Sequence, residues 1–146
     1  MVTPAQEPPA TTTGAQFIRS LAEAERGLGA GQLEAGHRAA LARWPDEPLV
    51  LLANGNDAHA RGELNAAIGH YRKLLAVDPV NVAGRNNLAS ALLDAGCPAL
   101  ALAEAQQAVG SLSPGDPLEA AVRETLEAAK AAASGNSTAR CTAVPL

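Results

Sequence analysis

The sequence predicts an all-α fold: an α-solenoid of about three helical hairpins closed by a C-terminal capping helix. Three observations predict it. First, the chain matches itself at an offset of 34 residues, placing Pro45 on Pro79, Leu41 on Leu75 and Val109, Gly62 on Gly96, and Ala67 on Ala101. A fixed period of this length marks helical hairpins that each bury a face against the next. Second, apolar residues between the Gly and Pro punctuation recur at the i, i+3, i+4, i+7 spacing of a helix face. Third, hydrophobic residues make up 47% of the chain but aromatics only 2%. The core must therefore be built from Ala, Leu and Val, which suits closely packed helices. At 146 residues the chain is long enough for one domain with a real core.

Residues 1–13 are rich in Pro, Thr and Ala and read as a disordered linker. Such a start suggests that the chain is one part of a longer polypeptide. Helix one begins at a capping-box pattern, Thr13 with Gln16, carries Phe17, Ile18, Leu21 and Leu28, and ends in Gly27, Gly29 and Gly31. Helix two runs from about Gln32 to Arg43, with Leu33, His37, Ala40 and Leu41 on one face, until Trp44-Pro45 stops it. Helix three runs from about Pro48 to Arg61, with proline at a tolerated first turn.

Helix four, about Glu63 to Val77, is the clearest, with Leu64, Ala67, Ile68, Tyr71, Leu74 and Leu75 on one stripe. Helix five covers about Val82 to Ala95, with Leu88 and Leu92 inward and Gly96 as the stop. Helix six starts at Pro98 and continues to about Val109. Helix seven is expected to start from an Asp116 cap with Pro117 first, and to turn Leu118, Ala121, Val122, Thr125, Leu126 and Ala129 inward. Its other face carries Glu119, Arg123, Glu127 and Lys130, a polar side suited to the end of a stack. The repeat domain thus spans 14–133, and 134–146 reads as a disordered tail.

Charge and motif content exclude several function classes. A net charge of −4, with only Lys73 and Lys130 as lysines and scattered arginines, argues against binding nucleic-acid phosphates. No apolar run approaches the roughly 20 residues of a membrane span. The N-terminus lacks the basic start and apolar stretch of a secretory signal. As written the chain reads as cytoplasmic, with periplasm or envelope open if it is cut from an exported protein. Cys97 and Cys141 are too few for a disulfide framework and are expected to be free thiols. His37, His59 and His70 have no metal-ligand spacing, and no GxGxxG or P-loop pattern is present. His37 is expected in the core and His70 to be solvated. No cofactor, metal or catalytic residue is expected, and the chain is not read as an enzyme.

Reading from Pro48, one unit carries Leu51, Asn54-Gly55, Ala58, Gly62, Ala67, Tyr71, Leu74 and Pro79. The next, from Val82, carries Arg85, Leu88-Ala89, Leu92, Gly96, Ala101, Ala105 and Ala108, with its proline one place late at Pro114. These residues resemble the tetratricopeptide repeat (TPR) family. The first unit fits less well: Gly31 and Leu33 lie 31 residues before Gly62 and Leu64, whereas Pro45 lies 34 before Pro79. A shortfall of about three residues is expected in its second helix or the preceding turn. A narrower likeness covers the stretch from Ala39 to Cys97. It is similar to repeat regions that follow a papain-like (C39-type) peptidase domain in envelope proteins of some GC-rich bacteria.

The TPR resemblance implies a concave groove lined by the first helix of each hairpin. The groove positions here are Leu49, Leu52, Ala53, Asn56, His59 and Ala60, then Ala83, Asn86, Asn87, Ser90, Leu93 and Asp94. It implies a protein or peptide partner, with amide side chains bonding its backbone and Leu49 and Leu52 receiving apolar groups. The family's chaperone-tail carboxylate clamp is not implied, because Leu52, Pro117 and Ala121 stand where it needs cations. The expected function is a protein-interaction module of a larger bacterial protein or complex. The alternatives are a self-associating scaffold, through Phe17, Ile18 and Leu21, or an accessory domain of an upstream peptidase.

Overall fold

The computed structural model describes residues 13–27, 29–135 and 141. Among these the chain forms seven α-helices and no strand. They are α1 (Gly14–Ala24), α2 (Ala30–Arg43), α3 (Pro48–Ala60), α4 (Leu64–Val77), α5 (Val82–Asp94), α6 (Pro98–Gly110) and α7 (Glu119–Ser134), with a 3-10 turn at Glu25–Gly27. Each helix packs on the next in the chain, and the odd-numbered helices α1, α3, α5 and α7 also touch one another in succession. No helix among the described residues is long and apolar enough to cross a membrane.

The helix boundaries carry the period read in the sequence. The helices α1, α3 and α5 begin at residues 14, 48 and 82, and α2, α4 and α6 begin at 30, 64 and 98, so each series advances by 34. The turns repeat as well. Gly62 donates to the His59 carbonyl at 3.0 Å and Glu63 to that of Ala58 at 2.9 Å. Gly96 donates to Leu93 at 3.0 Å and Cys97 to Leu92 at 2.8 Å. Both glycines have positive φ, 75° and 77°. This is the Schellman ending, in which a left-handed glycine lets the next N–H reach back to an orphan carbonyl. The third inter-hairpin turn, after α6, is longer and bends at Gly115, with φ 73°.

The three-residue shortfall expected in the first hairpin is not found. The start of α2 falls 34 residues before that of α4, so Ala30 corresponds to Leu64 and Gly31 lies inside α2. The irregularity is in the turn. There α1 stops at Ala24 and tightens into the 3-10 segment, and Gly29 caps α2 with its N–H donating to Gln32 Oε1 at 3.2 Å. Leu28, expected on helix one, lies outside the described residues. The Thr13 capping box does form: Thr13 N donates to Gln16 Oε1 at 2.9 Å and Gln16 N to Thr13 Oγ1 at 3.2 Å.

The last helix also starts later than expected. The Asp116 carboxylate accepts from Leu118 N at 2.9 Å, closing a local turn rather than capping a helix, and α7 begins at Glu119. Its buried stripe is narrower than expected: Val122, Leu126 and Ala129. Leu118 and Ala121 are exposed and Thr125 is half-buried. His70 is likewise half-buried rather than solvated.

Two apolar clusters hold the helices. One joins Phe17, Ile18 and Leu21 of α1 to Ala40 of α2 and Val50 of α3, with Trp44 packed 5.9 Å from the Phe17 ring. The larger runs from α3 to α7 and is rich in alanine, including Ala67, Ala89, Ala91, Ala101, Ala105 and Ala129. Gly55 sits against the Tyr71 ring, and a methyl at residue 55 would overlap it. Arg85 occupies the α5 position equivalent to the buried Phe17 and Leu51. Its charge is met by Glu104 at 2.7 Å and by the Pro79 carbonyl at 2.7 Å.

The cysteines overturn the free-thiol expectation. Cys97 and Cys141 form a disulfide across 44 residues, with Cα atoms 4.5 Å apart. Cys97 is buried in the larger cluster, at 2% exposure. Within the segment read as a tail, Cys141 is bonded to Cys97 and Ser134 ends α7. Residues 1–12, 136–140 and 142–146, also read as disordered, lie outside the described residues.

Candidate functional site: clefts along the odd-numbered helices

Because α1, α3, α5 and α7 touch in succession, the side chains between them line three neighbouring clefts. The first, of ≈ 320 Å³, lies between α1, the 3-10 turn, α2 and α3, and is lined by Ile18, Ala22, Glu25, Leu33, His37, Ala53, Asn56, Asp57 and Ala60. The second, of ≈ 390 Å³, is lined by Asn56, His59, Ala60, Tyr71, Asn87 and Ser90. The third, of ≈ 350 Å³, is lined by Ser90, Leu93, Asp94, Ala121, Glu124, Thr125 and Ala128. Asn56 and Ala60 belong to the first two and Ser90 to the last two, so neighbouring clefts share walls.

The middle cleft is built by a hydrogen-bond network. The buried Tyr71 hydroxyl donates to Asn56 Oδ1 at 2.8 Å, and Asn87 Nδ2 donates to the same oxygen at 2.9 Å. Asn56 Oδ1 is thus satisfied twice, which orients its amide N–H groups. Burial raises the Tyr71 pKa above its ordinary value, so the hydroxyl keeps its proton and stays a donor. One turn further along, His59 Nε2 and Asp94 Oδ2 meet at 2.6 Å and tie α3 to α5. The first cleft holds a looser pair, His37 Nδ1 at 3.7 Å from Asp57 Oδ2, too long for a hydrogen bond. That nitrogen is buried with no partner. Burial lowers the His37 pKa, with Asp57 pulling the other way. Asp57 itself is paired with Arg61 at 2.9 Å.

Of the residues expected in a groove, the structure brings Asn56, His59, Ala60, Asn87 and Ser90 together in the middle cleft, and Ala53, Leu93 and Asp94 into its neighbours. Leu49 and Leu52 are instead half-buried against the two apolar clusters, so their surface is largely spent on packing. Ala83 and Asn86 are half-buried and line none of the three clefts, and Asn86 Oδ1 is buried without a partner. Tyr71, His37, Asp57, Glu25 and Glu124 were not expected in a groove. Tyr71 and His37 are equivalent residues of α4 and α2 that reach the clefts from below. Their even spacing of 34 was the available signal.

Carboxylates (Glu25, Asp57, Asp94 and Glu124) line the clefts, and no Lys or Arg does among the described residues. No three His, Cys, Asp or Glu side chains among the described residues converge to hold a metal ion. The chain matches no family model and no curated protein.

Proposed function

We propose that this chain is a protein-interaction module: a TPR-type α-solenoid whose concave face, along α1, α3, α5 and α7, takes an extended peptide or partner segment. The observation that carries this reading is the row of three clefts with shared walls, with the Tyr71–Asn56–Asn87 network in the middle one. Equal 34-residue steps in both helix series support the solenoid. Amide groups suit a peptide backbone because each offers both a donor and an acceptor.

The lining chemistry narrows the partner. Of the four lining carboxylates, Asp57 is met by Arg61 and Asp94 by His59, and the set as a whole favours a neutral or basic segment over a terminal carboxylate. The groups are held by α-helices and by one another before anything binds. The ordering cost then falls on the flexible partner alone.

The test is a display library of extended peptides selected against the chain. Selected peptides should avoid Asp and Glu, and the Asn56→Ala, Asn87→Ala double variant should bind them roughly tenfold more weakly. Unchanged affinity with an intact helical spectrum would place the binding surface elsewhere.

A further inference from the structure

We infer that this chain works in an oxidising compartment, where the Cys97–Cys141 disulfide latches the C-terminal helix α7 onto the stack. Both cysteines of the sequence are consumed in this one bond, leaving no free thiol. Disulfides persist in secreted and periplasmic proteins and are reduced in most cytosols. The proposal stands whether or not the clefts bind a peptide.

The place of the bond explains its use. Among the described residues α7 is the last helix, and it packs on α6 and α5. It buries Val122, Leu126 and Ala129, against an α6 face whose buried residues are Ala101, Ala105 and Ala108. Alanine side chains remove little apolar surface from water, so a contact whose buried α6 residues are all alanine gains from a covalent tie. The loop closed by the bond contains all of α6 and α7. It starts at Cys97, where the Schellman turn between α5 and α6 is itself part of the core. A latch there restrains α7 in partly unfolded states and so keeps one wall of the third cleft (Ala121, Glu124, Thr125 and Ala128) in place.

The chemistry is thiol–disulfide exchange. The two thiols lose two protons and two electrons, and a disulfide-bearing oxidant, either a protein or an oxidised small thiol, takes them up and leaves as two thiols. With Cys97 almost wholly buried, the closed bond offers an attacking thiolate only its Cys141 side.

The experiment compares the whole chain exported to an oxidising bacterial compartment with the same chain treated with reductant. Intact mass should show the exported chain lighter by two hydrogens and resistant to alkylation until reduced. Reduction, or Cys141→Ser, should lower the melting temperature by roughly 10 °C. Amide exchange should quicken at least about tenfold in α7 while α3 and α4 keep their protection. Two alkylatable thiols in the exported chain would overturn the inference, as would unchanged α7 exchange on reduction. A uniform loss of protection through every helix would overturn the local latch. Cys97→Ala with Cys141→Ser should behave as the reduced chain does, which separates loss of the bond from any effect of a stranded thiol.

Discussion

The hairpin α3–α4 and the pair α6–α7 are built on similar lengths of helix, yet they are held in different ways. In α3–α4 a glycine and a tyrosine interlock: Gly55 leaves room on α3 for the buried Tyr71 ring, and Leu51, Ile68 and Leu74 are buried with it. In α6–α7 the buried residues of α6 are alanines, and a disulfide closes the loop around the pair. The difference teaches that a close-packed large side chain and a covalent tie answer the same problem, that of holding one helix of a stack against its neighbour. Equivalent positions along the chain make the contrast visible. The pair Gly55 and Tyr71 corresponds to Leu21 and His37 in the first hairpin and to Ala89 and Ala105 in the third.

The largest effect should come from breaking the interlock. Tyr71→Ala should cost about 4 kcal/mol in urea unfolding, the range for removing a fully buried aromatic. Gly55→Ala should destabilise the native chain, because the methyl meets the Tyr71 ring. In the Tyr71→Ala background the same change should stabilise by up to about 1 kcal/mol, since alanine is the better helix former. A double-mutant cycle showing simple additivity would mean the two residues do not share space.

Next in size, opening the disulfide should cost about 3 kcal/mol, with the loss concentrated in α6 and α7. The two Schellman turns offer a matched pair. Gly62→Ala and Gly96→Ala should each cost about 1 to 2 kcal/mol, because both glycines hold the same left-handed conformation. Clearly unequal costs would show that the disulfide beside Gly96 changes what its turn contributes. Tyr71→Phe should cost about 1 kcal/mol, for the hydrogen bond to Asn56. If the proposed peptide binding holds, it should weaken as well, because Asn56 then loses one of the two groups that orient it.

The smallest effect is a pH dependence. Burial holds His37 and His70 below the ordinary histidine value of 6.5. The unfolded chain therefore takes up protons before the folded one as pH falls. The stability of neutral histidine is fully present above pH 6.5 and is lost as pH drops through the folded pKa values. Urea midpoints measured between pH 7.5 and 5 should fall, and His37→Gln should flatten part of that slope. A midpoint that rises on acidification would contradict a His37 pKa held down by burial against the pull of Asp57.

Much of the fold was legible because helix hairpins are local. Pro48 and Pro98 at first turns, Gly62 and Gly96 after the helices, and the stripe of α4 announce themselves within one or two turns of chain. The errors fell where local signals compete. Asp116-Pro117 reads as a helix start, but the carboxylate is used within its own turn. Gly29 and Gly31 read as one breaker, whereas the first caps α2 and the second continues it. Asn56, His59, Asn87 and Ser90 line the middle cleft, and only the TPR resemblance, not the period, pointed to them. Tyr71 was read as core, and its hydroxyl became part of the site only because α4 lies beneath α3 and α5.

By itself the sequence determined the helical class, the 34-residue step and most helix ends, since these depend on backbone preferences and on apolar spacing within a few turns. Tertiary structure alone decided that Tyr71 and Asn87 share the Asn56 side-chain oxygen, that Leu52 and Leu49 pack half-buried against the two apolar clusters, and that Cys97 bonds Cys141. Each of those joins residues from different helices, or from opposite ends of a 44-residue loop. Such distances depend on how helices stack, which no local spacing encodes.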